Sequence, residues 1–362
     1  KLYRNISCIK RLVQTIMKSH LMKYVEFYIT NVCNFNCDNC NRFNNYHFSG
    51  QTSWDEYKEE YTKWRERLDF EKIAILGGEP TLNPSFLKWV DGIASLWESS
   101  TIEIVTNASR INNINGFYDV LMKYEGRIFV GASLHNADHH DDIHNSIIEF
   151  LGDNVSTHKM DDKDIKWERS YADIKDPTWP KSSKISDYDE FPYHIRDECQ
   201  DIYNDINGYS GDETTEDLVV YEDENGIRII LTISNEFSDS AIINNDGVFS
   251  LHDSVPQEAL DVCFSKHCHH FIKGKLYKCG VVPLLPEFYK QFEFDISDED
   301  NELVHSYSPL TLENYTECND VFIDNLVNAK VIPQCKFCPS NPKTTTINAS
   351  TKKERIMKKK KL

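Results

Sequence analysis

The chain has 362 residues, 40% of them hydrophobic, and a formal net charge of −18. A chain so acidic is not expected to bind nucleic acid over a broad surface. No stretch reaches the roughly 18 apolar residues of a membrane span, so no contact with a membrane is expected. The 11 cysteines are odd in number and tightly clustered. This pattern favours metal ligation in a reducing cytoplasm over a secreted disulfide framework.

Strands and helices are predicted to alternate along the first part of the chain. The basic segment 1–23 has apolar residues at helical spacing, so a packing helix is predicted there. Buried strands are predicted at 24–30, 71–76, 101–106, 127–134 and 227–233, and helices from 52 or 53, from 83 to 97 and over 112–124. Such alternation predicts an α/β fold with a parallel sheet, closed or partly closed into a barrel.

Polar residues stand where the first four predicted strands end. A loop with three cysteines follows the first strand, and Gly77-Gly78-Glu79 follows the second. Asn107 ends the third strand and His135 the fourth. In a parallel barrel these ends share one rim, where active sites form. His135 is a candidate for substrate binding or proton transfer, or a structural residue. Asn107 is a candidate site residue, and the alternative is that it is a turn residue or a helix cap.

Three other segments break the alternation. Residues 136–225 are rich in aspartate and are predicted to be an irregular insertion, either a substrate lid or a solvated loop. Residues 241–250 are predicted to form a hairpin, or a further strand and turn. Residues 346–362 are basic and are predicted to be a disordered tail, with a weak contact to nucleic acid or a membrane surface as the alternative.

Cys33, Cys37 and Cys40 are spaced C-x3-C-x2-C. A [4Fe-4S] cluster normally takes four protein thiolates, so three would leave one iron open to another ligand. A zinc site is the alternative, but it would need a fourth ligand from far along the chain.

This cysteine loop and the GGEP segment resemble the radical S-adenosylmethionine (SAM) enzymes over roughly residues 24–235. The resemblance implies a partial (β/α)6 TIM-like barrel over residues 24–250. It also implies a [4Fe-4S] cluster on the three cysteines, with its fourth iron chelated by SAM. The family often has an aromatic residue immediately before the third cysteine, where this chain has Asn39. Phe35 is the candidate substitute for the adenine contact.

The same resemblance implies roles for the residues at the strand ends. Gly77 and Gly78 would permit close approach of the backbone. Their carbonyl groups and the Glu79 side chain would accept hydrogen bonds from the SAM ammonium group. Asn107 would contact the SAM carboxylate or ribose.

A second set of five cysteines lies near the C-terminus: Cys263, Cys268, Cys279, Cys335 and Cys338. With Gly274 five residues before Cys279, residues 251–345 resemble the SPASM or twitch extension of some radical SAM enzymes. The resemblance implies one auxiliary [4Fe-4S] cluster with four of the five as ligands, and Cys263 and Cys268 compete for the fourth position. A zinc ribbon is the alternative. Three cysteines belong to neither set: Cys8, Cys199 and Cys318. Each is interpreted as a small buried residue, with a thiol hydrogen-atom donor as the alternative.

The resemblance implies an enzyme, a radical SAM oxidoreductase or a related radical enzyme. An external donor of the flavodoxin or ferredoxin type would reduce the cluster, and SAM would be cleaved to methionine and a 5′-deoxyadenosyl radical. The radical would take a hydrogen atom from a small-molecule or peptide substrate, for a net oxidation or rearrangement. The alternatives are a maturase of ribosomally made peptides or proteins and a non-catalytic zinc or iron–sulfur protein.

Overall fold

The structure is a computed structural model. It describes residues 20–37, 39–46, 48–135, 137–152, 154–159, 218–233, 236–238, 242–243, 248–263, 265–315 and 330–346. Among these residues, no helix has both the length and the apolar character needed to cross a bilayer.

The strands are β1 (His20–Tyr28), β2 (Leu68–Leu76), β3 (Thr101–Thr106), β4 (Ile128–Leu134), β5 (Ser156–Lys159), β6 (Leu218–Glu222), β7 (Arg228–Ile233), β8 (Glu236–Ser238), β9 (Ile242–Ile243), β10 (Phe249–Ser250), β11 (His270–Ile272), β12 (Lys275–Tyr277) and β13 (Thr344–Thr346). The α-helices are α1 (Trp54–Arg65), α2 (Phe86–Leu96), α3 (Phe117–Lys123), α4 (His140–Leu151), α5 (Pro256–Asp261), α6 (Val281–Gln291) and α7 (Asp298–His305). Short 3-10 helices include Pro80–Leu82 and Pro333–Phe337.

One nine-stranded sheet organises the chain, in the order β12-β11-β1-β2-β3-β4-β7-β6-β5. The six strands from β11 to β7 in this order are parallel to their neighbours. Each edge carries antiparallel pairing, β11 with β12 on one side and β6 with β7 and β5 on the other. The predicted parallel-rich α/β fold is therefore confirmed, but the sheet is not closed into a barrel. The antiparallel additions leave β12 and β5 as its two edge strands.

Both faces of the sheet are buried, by different parts of the chain. Val25 and Phe27 of β1 point into the apolar cluster that also contains residues of α1 to α4. Tyr24 and Tyr28 point the other way, into a second cluster that includes Phe288 of α6. Because side chains alternate along a strand, one strand serves both cores. The C-terminal part of the chain thus packs on one face of β1 and β2, and helices α1 to α4 pack on the other face.

The structure corrects the prediction for the N-terminal segment. Residues 20–23 were assigned to a helix over 1–23, but they belong to β1, because β1 pairs with β2 along its full length from His20 to Tyr28. Residues 1–19 lie outside the described residues. The basic tail predicted over 346–362 also lies outside them, except for residue 346 at the end of β13.

The segment 136–225 is also more regular than predicted. It contains α4, with Ile143, Ile147 and Leu151 buried at intervals of four residues, and the strands β5 and β6. This helical spacing was present in the sequence but was obscured by the surrounding aspartates. Residues 160–217, including Cys199, lie outside the described residues. The strands β9 and β10 pair antiparallel, as the hairpin predicted over 241–250 requires.

Gly92 marks the tightest contact between α1 and α2. A methyl group at this position would overlap the indole ring of Trp54, which in turn packs 5.1 Å from the ring of Trp89. Gly92→Ala is expected to lower the free energy of unfolding by about 1–3 kcal/mol through overpacking. Denaturant unfolding measures this. Glu59→Ala, at an exposed position of α1, is the control, and equal midpoints for Gly92→Ala and wild type would contradict the expectation.

Candidate functional site

Gly77 and Gly78 hold the start of the cysteine loop against the end of β2. The Gly78 amide donates to the Thr30 carbonyl at 2.7 Å, and the Glu79 amide donates to the Val32 carbonyl at 2.8 Å. A Cβ at Gly77 would lie 2.5 Å from the Thr30 carbonyl oxygen, and one at Gly78 would overlap the Val32 carbonyl. These two positions therefore need glycine because the loop itself approaches them.

The Glu79 side chain ties the end of β2 to the end of β3. It is 1% exposed. Its Oε1 accepts hydrogen bonds from the Thr81 amide at 3.1 Å, the Thr81 hydroxyl at 2.5 Å and the Thr106 hydroxyl at 2.7 Å. Its Oε2 accepts from the Asn107 amide at 2.8 Å. Burial raises the pKa of Glu79, and these donors act in the opposite direction. In this structure Glu79 braces the site, and its contact with the SAM ammonium remains a prediction.

A ring of three side chains fastens the cysteine loop to the end of β3. Asn107 Nδ2 donates to Asn34 Oδ1 at 3.0 Å, Asn34 Nδ2 donates to Ser109 Oγ at 2.9 Å, and the Ser109 hydroxyl donates to Asn107 Oδ1 at 2.6 Å. Sequence reasoning found Asn107 but missed Asn34 and Ser109. An N-x-S spacing that suits a local turn was the available signal. The predicted contact of Asn107 with SAM is not tested by this geometry.

The three cysteines of the loop are near one another and mostly shielded from solvent. Cys37 is 6% exposed, and Cys33 and Cys40 are partly buried. Burial, followed by the charges of Cys40 and Cys33, raises the pKa of Cys37. The Phe35 amide donates to Cys33 Sγ at 3.4 Å, and the Cys40 thiol donates to Asn44 Oδ1 at 3.7 Å. Three crowded thiols of this kind become thiolates when a metal supplies the compensating charge.

The donor set of this loop fits an iron–sulfur cluster. Soft thiolates are the usual ligands of such clusters, and the three cysteines come from one short loop. Among the described residues, no three histidine, cysteine, aspartate or glutamate side chains are arranged to hold one metal ion.

The backbone explains the unusual residue before the third cysteine. Asn39 has φ +54°, in the left-handed region. Asparagine tolerates this region better than most residues, whereas a bulky side chain is strained there. Phe35, the candidate substitute, packs beside the loop thiols, and its ring lies 5.4 Å from that of His139. Its contact with adenine remains a prediction.

His135 is partly buried just after β4, at the predicted edge of the sheet. The structure does not test its role. Two of the nearby histidines belong to α4, where the rings of His140 and His144 are 6.0 Å apart. His144 Nδ1 also lies 2.8 Å from the Tyr221 hydroxyl. These contacts connect α4 to β6.

Four of the five C-terminal cysteines affect one another's pKa. Burial, followed by the charge of Cys279, raises the pKa of Cys263 to about 12, with a further contribution from Cys335. Burial and the charges of Cys263, Cys279 and Cys335 raise the pKa of Cys338 well above its ordinary value. Each thiol therefore lies within electrostatic reach of the others. We call Cys263, Cys279, Cys335 and Cys338 the four-thiol group.

Packing at the C-terminal end of α5 brings this group together. The Cys263 amide donates to the Leu260 carbonyl at 3.1 Å, and the Ser254 amide donates to the Lys336 carbonyl at 3.0 Å. The Lys336 ammonium, between the last two cysteines, pairs with Asp300 at 2.7 Å and with Asp253 at 3.2 Å. These contacts hold the CKFC segment beside α5.

The charge of Cys268 acts on Arg42. Burial alone would lower the pKa of Arg42, but the charge of Glu26, and after it those of Tyr28 and Cys268, raises it. Glu26 is 1% exposed, and its carboxylate pairs with Arg42 Nη2 and His270 Nε2, each at 2.9 Å. Arg42 follows the loop cysteines and His270 follows Cys268, so this buried network joins the two cysteine regions.

His269 makes folding dependent on pH. Its Nδ1 lies 2.8 Å from the Lys278 carbonyl, and burial lowers its pKa from 6.5 to about 4. Between pH 6.5 and about 4, His269 is therefore protonated in the unfolded chain but neutral in the folded chain. Stability from this residue is full above pH 6.5 and declines as the pH falls to about 4. The expected loss over that range is about 1–3 kcal/mol.

Denaturant unfolding between neutral and acidic pH measures this loss. His269→Asn should flatten the dependence, whereas His305→Asn, on the surface of α7, should not. Identical slopes for wild type and His269→Asn would contradict the assignment.

Comparison with known proteins finds a family match over the first cysteine region. Residues 27–153 match the family model described as the Radical SAM superfamily. These residues are therefore similar to that superfamily. The superfamily implies a [4Fe-4S] cluster and SAM as cofactors. The three loop cysteines, Gly77-Gly78-Glu79 and Asn107 all lie within the matched residues. The four-thiol group lies outside them.

A curated protein similar to this chain is the GTP 3',8-cyclase of Actinobacillus succinogenes, 26% identical over 192 residues. The match covers 52% of this chain and 53% of the cyclase, so the chain spans about half the length of that relative. Streptococcus suis SuiB bound to S-adenosylmethionine is 19% identical over 36% of this chain and 31% of that one, with a TM-score of 0.30. BtrN in complex with AdoMet and 2-DOIA is 16% identical over 33% of this chain and 48% of that one, with a TM-score of 0.25.

Proposed function

We propose that this protein is a radical SAM enzyme that cleaves SAM reductively and removes a hydrogen atom from its substrate. The observation that supports this most strongly is the bracing of the three-cysteine loop. Gly77 and Gly78 pack against its start, and Asn34 within it is bonded to Asn107 at the end of β3. Both contacts lie at the carboxyl ends of adjacent parallel strands, where such folds place their chemistry.

Cys33, Cys37 and Cys40 would hold the [4Fe-4S] cluster. When bound, the cluster and SAM together supply a radical able to abstract hydrogen from substrate. The residues of this chain provide orientation and shielding. Glu79 fixes the ends of β2 and β3 relative to each other, and the Asn34–Asn107–Ser109 ring fixes the loop on them. A radical reaction needs such a rigid and enclosed site because competing reactions must be excluded.

The four-thiol group would hold a second, auxiliary [4Fe-4S] cluster. Four cysteines are the usual ligand number. The electrostatic coupling among Cys263, Cys279, Cys335 and Cys338 supports this set. Cys268, whose charge acts on Arg42, is then the fifth cysteine that is not a ligand. We therefore favour Cys263 over Cys268 as the fourth ligand.

The substrate would be a small molecule or a peptide. The reaction would be a net oxidation or a rearrangement, which includes cyclisation, lyase and isomerase chemistry. An external donor of the flavodoxin or ferredoxin type would supply the electron, in a reducing cytoplasm.

Anaerobic purification followed by a SAM cleavage assay tests the proposal. The protein is expected to be brown, to hold about eight irons if both sites carry [4Fe-4S] clusters, and to form 5′-deoxyadenosine and methionine from SAM with a strong reductant. Cys335→Ala should retain most of this cleavage, because the auxiliary site acts after it. A colourless protein that contains zinc and leaves SAM intact would refute the proposal in favour of a metal-binding role.

A further inference from the structure

Lys278 places a buried positive charge next to the four-thiol group. The residue follows β12 directly and precedes Cys279, and it is 3% exposed. Its Nζ has no hydrogen-bond partner among the described residues. Burying an ammonium group without partners costs several kcal/mol. Such a group persists in a fold when a negative charge nearby compensates it.

The surroundings of Lys278 fix its backbone from two sides. Its amide donates to the Tyr307 hydroxyl at 3.2 Å, and its carbonyl lies 2.8 Å from His269 Nδ1. The ring of Tyr307 lies 6.0 Å from that of Tyr277, at the end of β12. Because its backbone is held in this way, the direction in which Lys278 leaves the strand is set by the fold.

Lys278 immediately precedes Cys279, a member of the four-thiol group. The buried His269 ring contacts the Lys278 backbone carbonyl and leaves its ammonium group without a partner. The ion pairs of the described residues include none between Lys278 and a carboxylate. An anionic group held by the four thiols would supply the missing countercharge.

We propose that Lys278 is the countercharge of the anionic group held by the four cysteines and that it sets the reduction potential of that group. This inference rests on the proposed auxiliary cluster. A [4Fe-4S] core with four thiolates carries two net negative charges when oxidised and three when reduced. A fixed positive charge nearby stabilises the reduced form more than the oxidised form. Lys278 thus raises the potential and makes the cluster a better electron acceptor.

The inference fits an oxidative role for the second site. A hydrogen atom taken from substrate leaves a substrate radical, and a net oxidation requires that radical to lose one further electron. A cluster of raised potential would accept this electron, and the proton released with it would pass to solvent or a nearby base. Neutralising Lys278 would weaken the tendency of the cluster to accept the electron.

A redox titration followed by electron paramagnetic resonance tests the inference. The Cys37→Ala background leaves only the second cluster in the protein. Within it, Lys278→Met should lower the reduced-to-oxidised ratio at a fixed potential at least about tenfold, a shift of about 59 mV for one electron. Lys278→Arg, which keeps the charge, should stay close to the background. Lys275→Met, which removes an exposed charge from β12, is the matched control and should also leave the potential close to that of the background.

Each outcome separates this inference from the proposed function. An unchanged potential in Lys278→Met with a full complement of iron would overturn the inference alone. Loss of the cluster from a folded Lys278→Met protein, with retention in Lys278→Arg, would support a countercharge role. Should Lys278→Met fail to fold, Lys278→Gln serves as the neutral variant. A Cys37→Ala protein with no cluster, from a wild type that cleaves SAM, would refute the auxiliary cluster and the inference with it, but not the radical SAM activity.

Discussion

Replacing Cys37 with alanine is expected to abolish SAM cleavage and to remove the first cluster. Cys37 is the most buried of the three loop cysteines and lies between the other two in the chain. Two thiolates cannot replace three in holding a cluster that already lacks a fourth protein ligand. The iron content should fall by half if the auxiliary cluster remains, and formation of 5′-deoxyadenosine should fall to background. Iron analysis and product analysis by mass spectrometry measure both effects.

Cys268→Ala is the matched control for this experiment. Cys268 is also a partly buried cysteine, and it is the one that we propose not to be a ligand. The variant should keep the full iron content and most of the cleavage activity. Loss of a cluster from Cys268→Ala, with retention in Cys263→Ala, would show that the ligand set proposed for the second site is wrong.

The second large effect is expected from Gly78→Ala. The added methyl group would overlap the Val32 carbonyl oxygen and would lie 3.0 Å from Cys33 Cβ. Both neighbours belong to the cysteine loop, so the loop has to move and the hydrogen bond from the Glu79 amide to Val32, 2.8 Å long, is weakened. A displacement of about 1 Å at a reacting centre costs on the order of 100-fold in rate. A decrease of that order in SAM cleavage is expected.

Gly92→Ala distinguishes this local effect from general destabilisation. It disturbs the contact of α2 with Trp54 on the helical face of the sheet, so it should lower stability but leave cleavage per folded molecule close to wild type. Full iron content and normal activity in Gly78→Ala would contradict the bracing role assigned to the glycine pair.

The parts of the site that the sequence predicted are those that depend on neighbours in the chain. The strands at 71–76 and 101–106 were predicted from short buried runs, and the segments that follow them carry Glu79 and Asn107. Strand ends in a parallel sheet meet at one edge whatever the rest of the fold does. The placement of these residues therefore followed from local patterns.

The parts that could not be predicted depend on distant segments. The proposed choice of Cys263 over Cys268 depends on the packing of α5 near Pro333–Phe337. The Glu26–Arg42–His270 network needs β11 beside β1, and no local sequence pattern predicts that pairing. The charge on Lys278 became notable only when its burial was known. The open sheet has the same origin, because its antiparallel edges come from segments far apart in the chain.

The most direct test of the central claim is electron paramagnetic resonance of the reduced Cys335→Ala protein, before and after addition of SAM. This variant is intended to remove the auxiliary cluster and to leave the cluster on Cys33, Cys37 and Cys40. A [4Fe-4S] signal that changes when SAM is added is predicted, since three cysteines leave one iron open to SAM. The absence of a [4Fe-4S] signal, or a signal that SAM does not alter, would contradict the radical SAM assignment of this site.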